Sequence, residues 1–294
     1  MTAPAGSFRI VHLSDFHYDG SAELHSSLER LVDRARACEP DLVVVSGDLS
    51  ADGRAFELDV VRRALERFGA VPRIVLPGNR DLVPSVGPPG EARSLPVGSD
   101  LDFFLTLEPA LGFGFDDPPG GQSSGGDHDP ERRFSNRFGR LNDHYSDPRV
   151  ELVGVNSTPR LRPDQLERAG RRLRRAAPGA LRVFALHHGL LPVPGRKLRD
   201  GDLASRAGDL LALLLELRVD LVLHGHIHRA HGWVVSDGRH RTLVVSAGAL
   251  VNDGRRDASF NEIRVGGGRL EVYRRSVSTG EPTLLIKTRR ADRI

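Results

Sequence analysis

Phe8-Arg9-Ile10-Val11-His12-Leu13-Ser14-Asp15-Phe16-His17 runs from an apolar strand candidate directly into a carboxylate and an imidazole. The same arrangement recurs along the chain. Leu42–Val45, a β-branched run suited to a strand covered on both faces, leads into Ser46-Gly47-Asp48-Leu49. Arg73–Leu76 leads through Pro77 into Gly78-Asn79-Arg80-Asp81. Leu181–Leu186 precedes His187 and His188, and Leu221–Leu223 precedes Gly225-His226-Ile227-His228. Helical stripes separate the first strands: Leu24, Leu28, Leu31, Val32 and Ala35 in one, and Leu58, Val61, Leu65 and Phe68 in the next. This βαβαβ order predicts parallel pairing with right-handed crossovers. In open α/β folds the binding crevice lies beyond the carboxyl ends of the strands, where these polar residues fall.

Outside that frame the signal varies. Residues 82–149 read as an inserted region, with a short helix or support at Leu101–Leu107. A flexible loop is expected over 116–130, where DDPPGGQSSGGDHDP has too little apolar surface to offset its ordering entropy. Val150–Val155 is a strand, and Pro163 starts a helix carrying Leu166, Ala169 and Leu173. Asp209–Leu217 is a further helix. After His228 the pattern turns to strands at Trp233–Ser236, Arg241–Val245, Ser259–Val265, Arg269–Tyr273 and Thr283–Ile286, expected to complete a second sheet. The expectation is one mixed α/β sandwich domain over residues 1–294.

Composition narrows the function. The chain has 294 residues and a formal charge of +3, too small a surplus for a general nucleic-acid signature. Its only lysines are Lys197 and Lys287, and the resulting arginine bias reads as a compositional habit rather than a phosphate-binding design. Cys38 is the single cysteine, which excludes an intrachain disulfide, and reads as a packed thiol. No apolar run reaches membrane-spanning length and no secretory signal is evident. A cytoplasmic enzyme is therefore expected; peripheral membrane contact stays compatible with the composition, and oligomeric state is not legible.

Carboxylates, imidazoles and an asparagine carbonyl gathered at one sheet edge are a donor set for a pair of cations. A two-residue spacing in an extended segment directs Asp15 and His17, and likewise His226 and His228, to one side. Glycines 47, 78 and 225 are expected to permit tight turns. His12 and His224 are read as core histidines, and His231, Arg229 and Arg239 as rim or surface positions. Tyr18 and His25 have no spacing that places them in the cleft.

In this order the motifs Asp15-Phe16-His17, Gly47-Asp48, Gly78-Asn79-Arg80-Asp81, His187 and Gly225-His226-Ile227-His228 resemble the calcineurin-like metallophosphoesterase family, from about Phe8 to Val265. The resemblance implies a four-layer αββα sandwich with two mixed sheets. It implies two divalent or mixed-valence ions, with Mn, Fe or Zn all compatible. Asp15, His17, Asp48 and His228 would hold the first ion; Asn79, His187 and His226 would hold the second, with Asp48 bridging. Ser157 and Thr158 end a family-like core strand on this reading, and Asn252 and Asn261 are structural or rim residues. The implied reaction is hydrolysis of phosphodiester bonds in nucleotides or other small organic phosphodiesters by a metal-activated hydroxide.

One position departs from the family pattern. Arg80 stands where a histidine is usual. Arginine is a poor proton donor at neutral pH but grips phosphoryl oxygens with a fixed fork. A phosphate clamp, a structural ion-pair partner and a mark of reduced activity are the three readings. Gly-Asn-Arg-Asp resembles the branch that cleaves the pyrophosphate of a UDP-diacylglucosamine, whereas Leu49–Phe68 and the C-terminal half resemble the cyclic-nucleotide phosphodiesterase branch. His188 is read as a buttress to His187 or as a substrate contact, its side chain starting in the opposite direction from that of His187 if the strand persists. Asp48, Asn79, Arg80 and His188 are thus the candidates for chemistry. Alternatives are a UDP-sugar or lipid-linked pyrophosphate hydrolase, a nuclease (nucleic acid being less favoured), and a non-catalytic, metal-stabilised binding module.

Overall fold

Alternate residues of the short apolar strands face two different cores, and that division builds the layers. In a computed structural model, which describes residues 7–83, 129–250 and 257–290, β1 (Phe8–Leu13) pairs in parallel with β2 (Leu42–Val45), and β2 with β3 (Arg73–Val75). Ile10, Leu42 and Val44 point toward the second sheet, while Val11, Leu13, Val43 and Val45 point toward the helices. Helices α1 (Ala22–Arg36) and α2 (Ala55–Glu66) cover that outer face with Leu28, Leu31, Val32, Leu58 and Val61. Ser21 caps α1 by accepting the Leu24 N–H, and at the start of α2 the Glu57 carboxylate reaches back to accept the Arg54 N–H.

The second sheet repeats the scheme. Strands β5 (Val150–Gly154), β6 (Leu181–Ala185), β7 (Leu221–His224) and β9 (Arg241–Ser246) run parallel, with β4 (Asp143–Asp147) and β8 (His231–Ser236) antiparallel at the edges. Their inward residues, including Leu152, Val183, Leu221 and Leu243, meet those of the first sheet. Val153, Phe184, Val222 and Val244 pack under α4 (Pro163–Arg174) and α5 (Ala207–Glu216). The result is helix, sheet, sheet, helix, the expected αββα sandwich.

Two local departures have physical causes. The last three strands, β10 (Ser259–Gly266), β11 (Arg269–Ser276) and β12 (Pro282–Arg289), do not extend the second sheet: β10 pairs antiparallel with β1 and completes the first. Strand content was legible, but the choice of sheet is made by long-range pairing. Within the expected insertion, α3 (Pro130–Phe138) lies against α2 and β4 forms an edge strand of the second sheet. Asp143-His144-Tyr145-Ser146-Asp147 has no apolar alternation to reveal it. Residues 101–107, Asn252 and all but the last two positions of the expected loop at 116–130 lie outside the described residues. Among the described residues no helix is long and apolar enough to cross a membrane. Cys38 is buried, and burial, with Glu262 nearby, pushes its thiol up to about 11.

Glu57 is 1% exposed; its Oε2 accepts the Asp52 and Arg54 N–H groups, while Oε1 has no hydrogen-bond partner among the described residues. Burial raises its carboxyl from 4.5 to about 7. Below pH 4.5 the group is protonated both folded and unfolded; between 4.5 and about 7 only the unfolded chain sheds its proton, so stability falls as pH rises through that window. Glu57→Gln is therefore expected to stabilise the protein by ~1–2 kcal/mol at about pH 8 and by far less at about pH 4. Denaturant melts at the two pH values check this, and the same difference at both would contradict it.

Candidate metal centre

Both sheets send strand ends to the same place. Asp15 and His17 follow β1, Asp48 follows β2 and Asn79 follows β3; His187 follows β6, while His226 and His228 follow β7. The site thus straddles the seam between the sheets. Hydrogen bonds cross that seam: the Ser46 carbonyl accepts from His187 Nδ1 at 2.8 Å, and the Asp15 carboxylate accepts the His226 N–H at 3.0 Å.

The expectation that Asp15/His17 and His226/His228 converge through strand pleating is incorrect. All four, together with Asp48, adopt left-handed backbone conformations, with φ of 57°, 46°, 67°, 55° and 52° in the order Asp15, His17, His226, His228, Asp48. Tight left-handed kinks, not an extended pleat, aim these side chains. Each costs of order 1 kcal/mol or more for a residue with a Cβ, and such strain collects where surrounding structure over-determines it. Here the Asp15 N–H donates to Gly47 O at 2.9 Å and the His17 N–H to Asp48 O at 3.0 Å. Only Gly47 of the three motif glycines has positive φ; Gly78 and Gly225 are needed for space. A Cβ on Gly78 would lie 2.2 Å from Asp48 Oδ1, and one on Gly225 would lie 1.9 Å from Ser14 Oγ.

Two groups of ligand-type atoms result, Asp15–His17–Asp48–His228 and Asp48–His187–His226, each with its atoms within 4.8 Å of one another. Asp48 belongs to both. Its Oδ1 lies 3.5 Å from His187 Nε2 and its Oδ2 lies 3.7 Å from His17 Nε2. Asp15 Oδ1 is 3.5 Å from His228 Nε2. Asn79 Oδ1 is 3.0 Å from His187 Nε2, adding a neutral oxygen to the second group.

The donor chemistry fits cations. Because a carbonyl can only accept, His187 Nδ1 carries the proton, which leaves Nε2 directed at Asp48 and Asn79. His17 Nε2 and His228 Nε2 face each other at 2.8 Å, and burial lowers the proton affinity of both rings. Burial raises Asp15 above the usual carboxylate range. Burial opposes ionisation of Asp48 too, but His187, His17 and His226 hold it well below that range. Burial likewise disfavours a charged His187, yet the adjacent Asp48 raises it to about 9. An ionised Asp48 beside the imidazoles of His17, His226 and His228, which burial keeps neutral, makes a pocket suited to divalent cations.

The remaining candidates sort by position. The Arg80 N–H donates to Asp48 Oδ1 at 2.9 Å, and its side chain is half-buried close enough to His17 to disfavour protonation there. Among the described residues its guanidinium has no ion pair, so the structural ion-pair reading finds no partner. His188 does not point away: β6 ends at Ala185, pleat alternation stops, and its ring lies 4.7 Å from that of His226. Ser157 Oγ meets His188 Nδ1 at 2.8 Å, an anchor not foreseen from sequence. Asp81 was also missed as an organiser; buried, it accepts the N–H groups of Leu49, Ser50 and Gly78 and ties the β2 and β3 loops together. His12 is buried against Ser46 and Asn261, as expected of a core residue, and His224 is buried too. Tyr18 and His25 bond to each other at 3.3 Å. Arg229 donates to Pro194 O beside the site, but Arg239 lies at the other end of the sandwich.

Gly225→Ala is expected to remove most metal uptake while preserving the far-UV circular dichroism, because the added methyl displaces Ser14 and Asp15. Gly208→Ala, whose Cβ meets nothing within 4 Å, serves as control. Elemental analysis after metal loading decides; full occupancy in Gly225→Ala would contradict the packing account.

A profile of the calcineurin-like phosphoesterase family matches residues 8–230. No curated protein matches the chain. Among solved structures, purple acid phosphatase PPD1 from yellow lupin (Lupinus luteus) seeds superposes with a TM-score of 0.63 at 15% identity, covering 97% of this chain and 54% of that one. This chain spans about half the length of the lupin phosphatase. A dimetal phosphatase from Danio rerio gives 0.62 at 13% identity over 95% and 98% of the two chains. GAP50, the anchor in the inner membrane complex of Plasmodium, gives 0.53 at 13% identity over 97% and 88%. At these identities the likeness is one of fold. The family match covers most of the chain, which therefore belongs to the calcineurin-like phosphoesterases, and its paired Asp/His groups are suited to metal ions.

Proposed function

We propose that this calcineurin-like phosphoesterase hydrolyses phosphodiester bonds in nucleotides or other small organic phosphodiesters. Asp15, His17, Asp48 and His228 would hold one divalent cation, and Asp48, Asn79, His187 and His226 would hold the other. The observation that carries it is the Asp48 carboxylate, whose two oxygens face separate donor groups 3.5 and 3.7 Å away. Mn, Fe and Zn all suit the mixed nitrogen and oxygen set. Two such ions would polarise the phosphoryl oxygens and lower the pKa of a coordinated water.

The chain's own residues do the rest. Asp48 fixes the spacing of the two halves. Arg80 is tethered by its backbone to Asp48, and its guanidinium, which has no ion pair among the described residues, grips a non-bridging phosphoryl oxygen through charge-assisted hydrogen bonds. It stays charged through the reaction and is a clamp rather than a proton donor. Burial, reinforced by His187, lowers His188 to about 3, so near neutral pH it offers a neutral ring held by Ser157. His188 thus acts as a hydrogen-bonding contact to substrate. The enzyme works in the cytoplasm on this reading.

The Arg80 guanidinium also favours a second reading, cleavage of a UDP-sugar or lipid-linked pyrophosphate, because adjacent phosphates suit a bidentate clamp. A panel of a chromogenic diester, UDP-acyl sugar mimics, DNA and phosphopeptides separates the classes.

Stripping and reloading metal is expected to abolish and restore turnover of the chromogenic diester; equal rates in both forms would overturn the metal-dependent mechanism. Arg80→Ala is expected to lower kcat/KM by ~10²-fold with metal content unchanged, and Arg80→Lys to recover part of the loss. Wild-type turnover by Arg80→Ala would remove the clamp from the mechanism.

A further inference from the structure

The end of the sandwich opposite the metal centre carries a second concentration of charge. Strand β9 runs parallel to β7 with Ser246 beside His224, so Arg241, at the start of β9, lies at the end remote from His226. Arg269 and Arg289 are cross-strand partners, and the Arg269 end of β11 pairs with Gly266, next to the start of β1 and far from Asp15. The edge strands of the two sheets, β8 and β12, lie side by side: a Cβ on Gly232, nearer the metal-centre end of β8, would touch Ile286 of β12, and the remote ends of both strands are reached at Ser236 and Arg289.

A concavity of about 360 Å³ opens at these remote ends, lined by Ser236, Gly238, Arg239, His240, Arg241, Arg289 and Arg290. A second, of about 330 Å³, continues from Arg289 to Arg269, Lys287 and Thr288. Neither is lined by a carboxylate. Lys287 pairs with Glu271, and Arg290 lies 3.5 Å from Asp220. Among the described residues the guanidinium groups of Arg239, Arg241, Arg269 and Arg289 have no ion pair or hydrogen bond. Arg137–Asp59, Arg174–Glu216 and Arg206–Asp209 show arginines matched to acids, whereas Arg80 at the metal centre, like these four, has no ion pair among the described residues; the remote four differ in lining joined hollows. Four unneutralised guanidinium groups around joined hollows repel one another, and an anion seated among them reverses the sign of that interaction.

We propose that this remote double concavity binds closely spaced phosphate groups. Planar guanidinium forks match phosphate geometry, and the first hollow falls in the size range of small-ligand sites. Two hollows sharing Arg289 suit a ligand with more than one phosphate, whether a soluble polyphosphorylated molecule or adjacent phospholipid headgroups. The site stands apart from the metal centre and does not depend on the hydrolytic assignment.

The test uses the metal-loaded full chain and two probes. Imidodiphosphate, whose P–N–P bridge resists hydrolysis, represents the soluble source; vesicles of phosphatidylcholine with phosphatidylglycerol represent the lipid source. Arg239→Gln/Arg289→Gln is compared with wild type and with Arg30→Gln/Arg171→Gln, which removes the same charge elsewhere. The expected result is at least ~10-fold weaker binding of one probe by the first pair only, with chromogenic diester turnover unchanged in all three proteins. Loss with imidodiphosphate identifies a soluble ligand, and loss with vesicles identifies headgroups. Equal binding by wild type and the first pair with both probes, or equal loss in the two variant pairs, would overturn the proposal.

Discussion

The two oxygens of Asp48 face donors carried by different sheets, and much of the site's design follows from that carboxylate. His17 reaches one oxygen from the end of β1, while His187 reaches the other from the end of β6. The carboxylate can serve both only if the two sheets are packed in one register. The shared core of Ile10, Val44, Val183 and Leu223 sets that register, and the crossing bond from His187 to Ser46 fixes it at the site. Hydrophobic burial, which has no direction of its own, thereby positions groups whose chemistry is directional.

Close approach at the strand ends exacts a conformational cost. Asp15, His17, Asp48, His226 and His228 all sit in the left-handed region. Gly78 and Gly225 leave room for the backbone and for Asp48 and Asp15 to come within distances that a methyl group would forbid. Asp81 supplies part of the compensation by binding three N–H groups from two loops. Burial and the charge of Asp48 raise its carboxyl to about 6, an expense of placing two acids side by side. The geometry is thus held by a rigid, over-determined frame rather than by the ligand residues themselves.

Much of this frame was legible in the sequence because it is periodic. The runs at Phe8–Leu13, Leu42–Val45 and Leu221–Leu223 are apolar and short, and each is followed at once by ligand-type residues. The edge strand Asp143–Asp147 was not legible because its pairing with β5 rests on backbone hydrogen bonds, which leave no mark on side-chain pattern. The return of β10 to β1 was hidden for a related reason: strand propensity does not name a partner. At the site, the residues picked from the sequence do come together, but the reason for their convergence was not legible, since left-handed kinks at Asp and His carry no sequence signature comparable to glycine. The roles of Ser157 and Asp81, though both residues were named from the sequence, were not legible because they depend on contacts with His188 and the β2 loop that only folding creates.

The most direct measurement is anomalous diffraction from crystals of the manganese-loaded protein. The account predicts two peaks flanking Asp48, roughly 3.5–4 Å apart, one beside His17 and His228 and the other beside His187 and His226. A single peak that leaves one oxygen of Asp48 without a metal, or peaks away from this carboxylate, would contradict it.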